Sequence, residues 1–250
     1  MRYLLPILAI TALILFFIFF RTEQTEPGPE SAVVTTQGNS ADFIVPNALA
    51  RYFPDTDFSN ADPALADAIS GGPAKDGIPA IDNPAFIPLS EFNRPDDVQV
   101  IVLVGETETK VYPYNILTWH EIVNDAIDDT PVAITFCPLC GSAIVFNRRL
   151  PDGQVSTFGV SGSLLESNMI MFDRATENLW QQSTGKTLAG SFYPAELALV
   201  PFLLLTLGEF RNLYSVAVVL REDTAHLRDY APNPYAGYDT DNRFVFEPSN

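Results

Sequence analysis

The residues best suited to chemistry lie in one short segment. Residues 135–146 have the sequence TFCPLCGSAIVF and contain both cysteines of the chain, Cys137 and Cys140. Two thiols three positions apart could form a redox dithiol, a structural disulfide or half of a metal site. Which of these forms depends on the elements that flank the pair.

The flanking residues favour a turn between two strands. A thioredoxin-like dithiol places its first cysteine at a helix N-terminus, where the helix dipole stabilises the thiolate. Here Gly141 and then Ile-Val-Phe follow the second cysteine, and β-branched and aromatic residues favour a strand. The sequence therefore predicts a strand–turn–strand unit, which argues against a helix-activated dithiol. A tight disulfide or two buried thiols are the plainest alternatives.

The same turn is also typical of a metal knuckle. Pro138 fixes one backbone dihedral and Gly141 can take a positive φ, so that backbone N–H groups can point at the two sulfurs. Two thiolates are too few for zinc, which takes four ligands in structural sites and three in open sites. Since the chain has no other cysteine, the remaining ligands must come from other residue types.

His120 is the best candidate for a third ligand. It lies on a predicted helix directly before the strand that ends at the first cysteine, so the chain can bring it close. The alternative is a histidine that packs beside Trp119 and bonds a backbone carbonyl. Met169 and Met171 lie two apart in a predicted strand and share a face. Their thioethers would favour Cu(I) over zinc, although methionines in strands mostly fill cores.

Two carboxylates form a second candidate site. Asp76 and Asp82 flank the sequence GIPAI in a loop rich in Gly and Pro, where acids are more often turn formers than catalysts. The sequence contains no Ser-His-Asp order, phosphate loop, dinucleotide fingerprint or paired-histidine metalloprotease helix. It therefore leaves open whether the protein is an enzyme.

Short strands and ordered loops dominate the rest of the chain. Residues 98–104 and 110–112 form a predicted hairpin, and apolar residues at helical spacing predict a helix over 115–127. The segments PVAITF, SAIVFN, VSTFGVSG, NMIMFD and SVAVVL are predicted strands, and the apolar residues 197–210 are expected to be buried. The predicted fold class is α+β with strands dominant: a mixed or antiparallel sheet, or a partly open barrel, with a few short helices.

An apolar segment without charge runs from Leu4 to Phe20. Its length is near the lower limit for a membrane span, and no small-residue cleavage site follows it. A transmembrane signal-anchor helix at 1–21 is therefore preferred over a cleaved secretory signal. We expect a linker at 22–42 and a single β-rich domain at 43–250.

The net charge and the residues around the N-terminal apolar segment indicate which partners and which location to expect. The chain carries 31 acidic and 14 basic residues, a net charge of −17, and such a surface is repelled by nucleic acid. Arg2 precedes the apolar segment and acids follow it, which predicts a single-pass membrane protein with its bulk outside the cytoplasm, in the periplasm or at the cell surface. A cysteine pair can persist there as a disulfide. We expect contact with the membrane through the N-terminal helix, no nucleic-acid partner, and leave protein partners open.

Five sequence blocks resemble the signature blocks of one bacterial and archaeal family, called domain of unknown function 3179. In chain order they are GGPAKDGIPAID, YPYNILTWHEIVND, TFCPLCGSAIVFNR, SNMIMFDRATENLWQQ and RDYAPNPYAGYD. The resemblance implies an exported or membrane-anchored protein without a settled reaction. It places the family's histidine and CPLC blocks on His120, Cys137 and Cys140, and its glycine–aspartate loop on Asp76 and Asp82. It also implies a shortened member, because family members often continue with a further strand-rich segment.

Three functional hypotheses follow. In the first, a membrane-anchored extracytoplasmic domain binds one zinc or copper ion through Cys137, Cys140 and His120, with the fourth position open or taken by Asp, Met or water. In the second, the CPLC pair cycles covalently in thiol–disulfide chemistry. In the third, the protein is a non-catalytic envelope scaffold and the pair is only a staple.

Overall fold

The computed structural model describes residues 44–224, 226, 228–238 and 240. The predicted membrane anchor between Leu4 and Phe20 and the predicted linker at 22–42 lie outside these residues. No helix in the described part of the chain is both long and apolar enough to cross a membrane. The helices are α1 (Asn47–Tyr52), α2 (Tyr114–His120) and α3 (Leu207–Leu213), with short 3₁₀ helices at Pro63–Asp67 and Leu89–Glu91.

Strands supply most of the regular structure, which confirms the predicted strand-dominated α+β class. Each predicted strand segment contains a strand, although VSTFGVSG is extended only from Phe158 and SVAVVL only from Val218. In chain order the strands are β1 (Ile69–Ser70), β2 (Phe86–Pro88), β3 (Gln99–Val104), β4 (Thr109–Pro113), β5 (Ile122–Ile127), β6 (Thr130–Cys137), β7 (Ser142–Asn147), β8 (Phe158–Leu165), β9 (Asn168–Asp173), β10 (Leu179–Gln181), β11 (Thr187–Ala189), β12 (Leu203–Thr206) and β13 (Val218–Leu220).

The described strands form three sheets, none of which closes into a barrel. Their orders are β1-β8-β9-β10-β11, β12-β3-β4-β13-β2 and β5-β6-β7. The pairings are antiparallel except that between β13 and β4, which is parallel. The hairpin predicted from residues 98–112 is the β3–β4 pair.

The three-stranded sheet is the middle layer of the molecule. One face, with Val132, Ile134 and Phe136, packs against α2 and the sheet of β3 and β4. The other face, with Ala133 and Cys137, packs against the sheet of β8 and β9. Because side chains alternate along a strand, both faces of β6 must be apolar. This explains the continuous apolar run of β6 and places its last residue, a cysteine, in a core.

Short helices cover the outer faces of the two larger sheets. Leu49 of α1 packs with Ile170 on the outer face of β9. Phe210 of α3 packs with Val100 on the outer face of β3. The middle sheet is thereby held between two covered layers, and its β6–β7 end carries the thiol pair.

The helix predicted over 115–127 is wrong in its second half. α2 ends at His120, and Glu121 has a φ of 58°, which a continuing right-handed helix does not allow. The next residues form β5 instead, in antiparallel register with β6. The β-branched residues of this segment fit the middle sheet, so that strand pairing overrides the helical spacing.

The expectation that residues 197–210 are buried is wrong for their middle part. Leu203 and Leu204 are 41% and 50% exposed. They lie on β12, which is the edge strand of its sheet. An apolar run therefore does not by itself show that both faces of a strand are covered.

Candidate functional site: the thiol pair

The CPLC turn joins β6 to β7, as the strand–turn–strand prediction requires. Cys137 ends β6 and is 1% exposed, whereas Cys140 is exposed, and both are free thiols. Gly141 has a φ of 61°, a backbone conformation that glycine adopts without strain. The turn therefore buries one sulfur and presents the other to solvent.

The turn of the β8–β9 hairpin brings polar groups to both sulfurs. Glu166 and Ser167 have φ values of 52° and 62°, as the two central residues of a type I′ turn do. Such values cost a non-glycine residue about 1–3 kcal/mol. The turn places the carbonyl oxygen of Ser167 at 3.7 Å from the thiol of Cys137, and it sets Asn168 beside Cys140.

Asn168 points its amide nitrogen at the exposed sulfur. Its Nδ2 donates to Cys140 Sγ at 3.1 Å and to Gln182 Oε1 at 2.8 Å. Its amide oxygen accepts from the backbone N–H of Ser183 at 2.9 Å, which fixes the orientation of the amide. Asn168 Nδ2 thus donates both of its hydrogens, one to the Cys140 sulfur and one to Gln182.

Gln182 positions a second polar group, the hydroxyl of Ser142. Ser142 Oγ lies 2.7 Å from Gln182 Oε1 and 3.1 Å from Cys140 Sγ. Its single hydrogen can serve only one of these acceptors at a time. With a neutral thiol it is donated to Gln182, and with a thiolate it can turn to the sulfur. Gln182 is itself held by donating to Thr135 Oγ1 at 3.0 Å.

These contacts separate the acidities of the two thiols. The hydrogen bond from the Cys137 thiol, followed by those from Ser142 and Asn168, lowers the pKa of Cys140 to about 5. The same bond, together with burial, raises the pKa of Cys137. Of the two thiols, Cys140 is therefore the more acidic and the one that more readily becomes a thiolate.

Glu121 is a buried carboxyl next to the pair. It is 6% exposed, and its backbone carbonyl accepts from the N–H of Phe136, the neighbour of Cys137, at 2.8 Å. Burial, with a further contribution from Cys140, raises the pKa of Glu121 to about 8. Burial, followed by Glu121 and Cys137, raises the pKa of Tyr235 to about 12. A carboxyl and a phenol therefore belong to the same site.

His120 lies in a separate polar cluster. It is 0% exposed; its Nδ1 donates to the carbonyl of Pro79 at 2.7 Å and its Nε2 accepts from the hydroxyl of Tyr230 at 2.6 Å. Burial, with nearby cationic groups, lowers the pKa of His120 to about 4, so the ring is neutral at pH 7. The backbone-carbonyl alternative considered for this histidine is the contact observed, and both ring nitrogens have partners.

The structure does not bring the predicted metal ligands together. Among the described residues, no group of three or more His, Cys, Asp and Glu side chains could hold a metal ion. Met169 and Met171 share a face of β9, as predicted, and they are 1% and 0% exposed in the core that also contains Cys137. Their packing matches the core alternative named for methionines in strands.

Asp76 and Asp82, the second candidate site, converge on one arginine. Arg174 donates from NH2 to Asp76 at 2.8 Å and from NH1 to Asp82 at 3.2 Å. Arg174 also donates to the carbonyl of Phe158 at 3.0 Å. These bonds tie the loop before β2 to the end of the β8–β9 hairpin that lies away from the CPLC turn.

The sequence-based prediction missed the side chains that contact or surround the sulfurs. Asn168, Gln182 and Glu121 are not among the predicted site residues. In the sequence they stand out only as polar residues beside strongly apolar strands, within two of the five blocks that carry the family resemblance. No sequence spacing links these residues, because only the fold brings them near the cysteines.

The comparison with protein families covers this whole site. The model of the family described as protein of unknown function (DUF3179) matches residues 75–250. The chain belongs to this family. DUF3179 membership confirms the predicted resemblance, and the matched range contains the CPLC turn, Glu121, Asn168 and Gln182. No curated protein and no solved structure matches the chain.

Proposed function

We propose that this DUF3179 protein carries out thiol–disulfide exchange through Cys140 and Cys137. The observation that carries the proposal is the exposed Cys140 sulfur, which accepts from Asn168 at 3.1 Å and lies equally far from Ser142 Oγ. Hydrogen bonds to a charged group are worth about 1.5–3 kcal/mol. Hydrogen bonds from side chains can therefore stabilise a thiolate, as a helix N-terminus does in other redox dithiols.

In the first step, the Cys140 thiolate attacks one sulfur of a disulfide in the partner molecule. A bond forms between Cys140 Sγ and that sulfur, and the partner's S–S bond breaks. The other partner sulfur leaves as a thiolate and takes a proton from solvent. The product is a mixed disulfide in which Cys140 no longer carries a negative charge.

In the second step, Cys137 releases the partner. Loss of the Cys140 charge lowers the pKa of Cys137, since the bond to Cys140 and the charge of Cys140 both contribute to its increase. The thiol of Cys137 then loses its proton to solvent, and the new thiolate attacks Cys140 Sγ. The mixed disulfide breaks, and the partner's second sulfur leaves as a thiolate that is protonated. The partner has become a dithiol and the CPLC pair a disulfide; the reverse path oxidises a dithiol.

Single cysteine variants test this order of events. With bis(2-hydroxyethyl) disulfide, Cys137→Ser should accumulate the mixed disulfide on Cys140, because no second thiol is present to resolve it. Cys140→Ser should not react at neutral pH, and the unchanged protein should end as an internal disulfide. Intact-protein mass distinguishes the three products. Equal reactivity of the two variants, or an unreactive unchanged protein, would overturn the proposal.

Zinc or copper binding stays a separate prediction for the cysteine pair. Two thiolates provide half of a tetrahedral ligand set, so further ligands would have to complete it. A stoichiometric metal in protein purified without added metal, lost in both Cys137→Ser and His120→Ala, would support the Cys₂His site. Metal-free protein that reacts with disulfides would support the exchange reaction instead.

We also propose that an N-terminal anchor holds the thiol domain on the outer side of the membrane. The support is the uncharged segment from Leu4 to Phe20 and the acids that follow it. An extracytoplasmic position is one in which disulfide-bearing partners persist. Alkaline extraction should leave the unchanged chain in the membrane fraction and release a Leu15→Asp, Phe17→Asp double variant. Release of the unchanged chain together with the double variant would contradict the proposed membrane anchor.

A further inference from the structure

An aromatic cleft opens beside the CPLC turn. Its volume is about 390 Å³, within the range of pockets that enclose small ligands or several side chains. Phe136 and Pro138 form one wall, Tyr114 of α2 forms another, and Tyr235 and Tyr238 of the C-terminal segment form a third. Elements far apart in sequence thus build a single apolar surface next to the thiol pair.

The cleft adjoins the CPLC turn. Pro138, between the two cysteines, lines the cleft. Tyr235 lines it as well, and this is the phenol whose pKa rises partly because of Glu121 and Cys137. A disulfide presented to the Cys140 sulfur would therefore have its neighbouring groups at the mouth of the cleft.

The lining indicates which chemistry the cleft accepts. None of its described lining residues carries a charge, and the amides of Gln99, Asn115 and Asn233 stand among the aromatic rings. Rings offer a large contact area at low cost in side-chain entropy, and amides can bond to peptide groups. The net charge of −17 further disfavours small anionic disulfides.

We propose that the cleft binds the polypeptide that flanks a partner protein's disulfide, through an uncharged segment bearing aromatic or aliphatic side chains. This inference rests on the proposed exchange reaction, and it makes protein disulfides the substrate class. A small uncharged disulfide reaches Cys140 but leaves the cleft empty. The two kinds of substrate therefore differ only in the contacts that the cleft supplies.

Kinetics with two disulfides test the assignment. One is a blocked, uncharged heptapeptide with Phe and Leu beside its cysteine, oxidised to the symmetric disulfide; the other is bis(2-hydroxyethyl) disulfide. We expect Tyr114→Ala and Tyr238→Ala to lower the rate constant with the peptide about tenfold and with the small disulfide less than twofold. Tyr52→Ala, at a half-buried tyrosine on α1, should change neither. Equal losses with both substrates would overturn the cleft as the binding site.

Binding without chemistry separates this inference from the proposed function. The same heptapeptide with serine in place of its cysteine cannot exchange, and its affinity is measured by calorimetry. Binding that weakens about tenfold in Tyr238→Ala but not in Tyr52→Ala supports the cleft even if the protein proves unreactive towards disulfides. No binding of this peptide to the unchanged protein would overturn the cleft proposal and leave the exchange reaction standing.

Discussion

Asn168 is one of the residues whose hydrogen bonds lower the pKa of Cys140. Its amide donates to the sulfur at 3.1 Å and is held by Ser183. We expect Asn168→Ala to raise the pKa of Cys140 by about 1–2 units, since a hydrogen bond to a charged group is worth about 1.5–3 kcal/mol. The reduced pair loses the same stabilisation, so its reduction potential should fall by about 30–60 mV. Thiolate absorbance against pH and equilibration with glutathione measure the two quantities.

The control for this variant is the exposed Asn60→Ala, which should shift neither value. Because Asn168 also binds the Ser183 N–H, circular dichroism must show that the variant is folded. A folded Asn168→Ala protein with an unchanged pKa for Cys140 would show that the amide does not stabilise the thiolate.

Glu121 should make the protein less stable as the pH rises. Its pKa in the folded state is about 8 and its ordinary value is 4.5. Below pH 4.5 both states hold the proton and burial carries no ionisation penalty. Between these values the unfolded state loses the proton first, so the free energy of unfolding falls with pH until about pH 8. Glu121→Gln should remove this decline and be more stable than the unchanged protein at pH 8, by several kcal/mol.

Urea unfolding of both proteins at pH 4 and pH 8 measures the difference. The free energies should nearly agree at pH 4 and separate at pH 8. Glu196→Gln, at an exposed position, should follow the unchanged protein at both. A Glu121→Gln variant that tracks the unchanged protein across this range would show that the carboxyl is not buried with a raised pKa.

At the scale of elements, Arg174 joins a loop to a hairpin. It bonds Asp76, Asp82 and the carbonyl of Phe158. A Cβ at Gly159 would lie 2.5 Å from Asp76 Oδ1, so the carboxylate is packed tightly against β8. We expect Arg174→Met to lower the free energy of unfolding by about 1 kcal/mol, because two partly exposed carboxylates lose their cationic partner and water replaces only part of the bonding. Urea denaturation measures the loss.

Arg149→Met serves as the matched control, since Arg149 is exposed and its side chain bonds the carbonyl of Gly153. It should change the stability by less than about 0.5 kcal/mol. If the aspartates instead formed a catalytic pair, Arg174→Met would abolish the exchange reaction; we expect the rate with bis(2-hydroxyethyl) disulfide to stay within twofold.

The secondary structure near the cysteines could be predicted where the local sequence determines it. Ile-Val-Phe after Gly141 lies in β7, and the β-rich run before the turn at Gly105 forms the first strand of the β3–β4 hairpin. The helix over 115–127 could not be delimited, because the apolar residues after Glu121 suit a helix and a strand equally. Pairing with β6 decides between them, and that contact is invisible to periodicity.

At the scale of the whole molecule, the site arises where the middle sheet meets an outer one. Cys137 comes from the middle sheet and Asn168 from the hairpin packed on it, while Tyr235 comes from the C-terminal segment. The cysteine pair could be named from sequence because its spacing is local. The donors and the cleft could not, since each depends on the layer order. The partners of His120 could not be predicted for the same reason: its ring bonds Pro79 and Tyr230, which the fold brings to it.

The overall charge should select among partners that carry the same disulfide. With a net charge of −17, the protein should attract cationic polypeptides over tens of ångströms at low salt. We expect the uncharged heptapeptide disulfide with lysines added at its ends to react about tenfold faster than the same peptide with glutamates at low ionic strength. Because the Debye length falls to about 3 Å at 1 M salt, the two rates should converge there.

Stopped-flow oxidation of the reduced protein across a salt series measures the effect, with bis(2-hydroxyethyl) disulfide as the uncharged control. A lysine-to-glutamate ratio that does not change with salt would mean that the added side chains act by contact in the cleft and not through the field of the molecule.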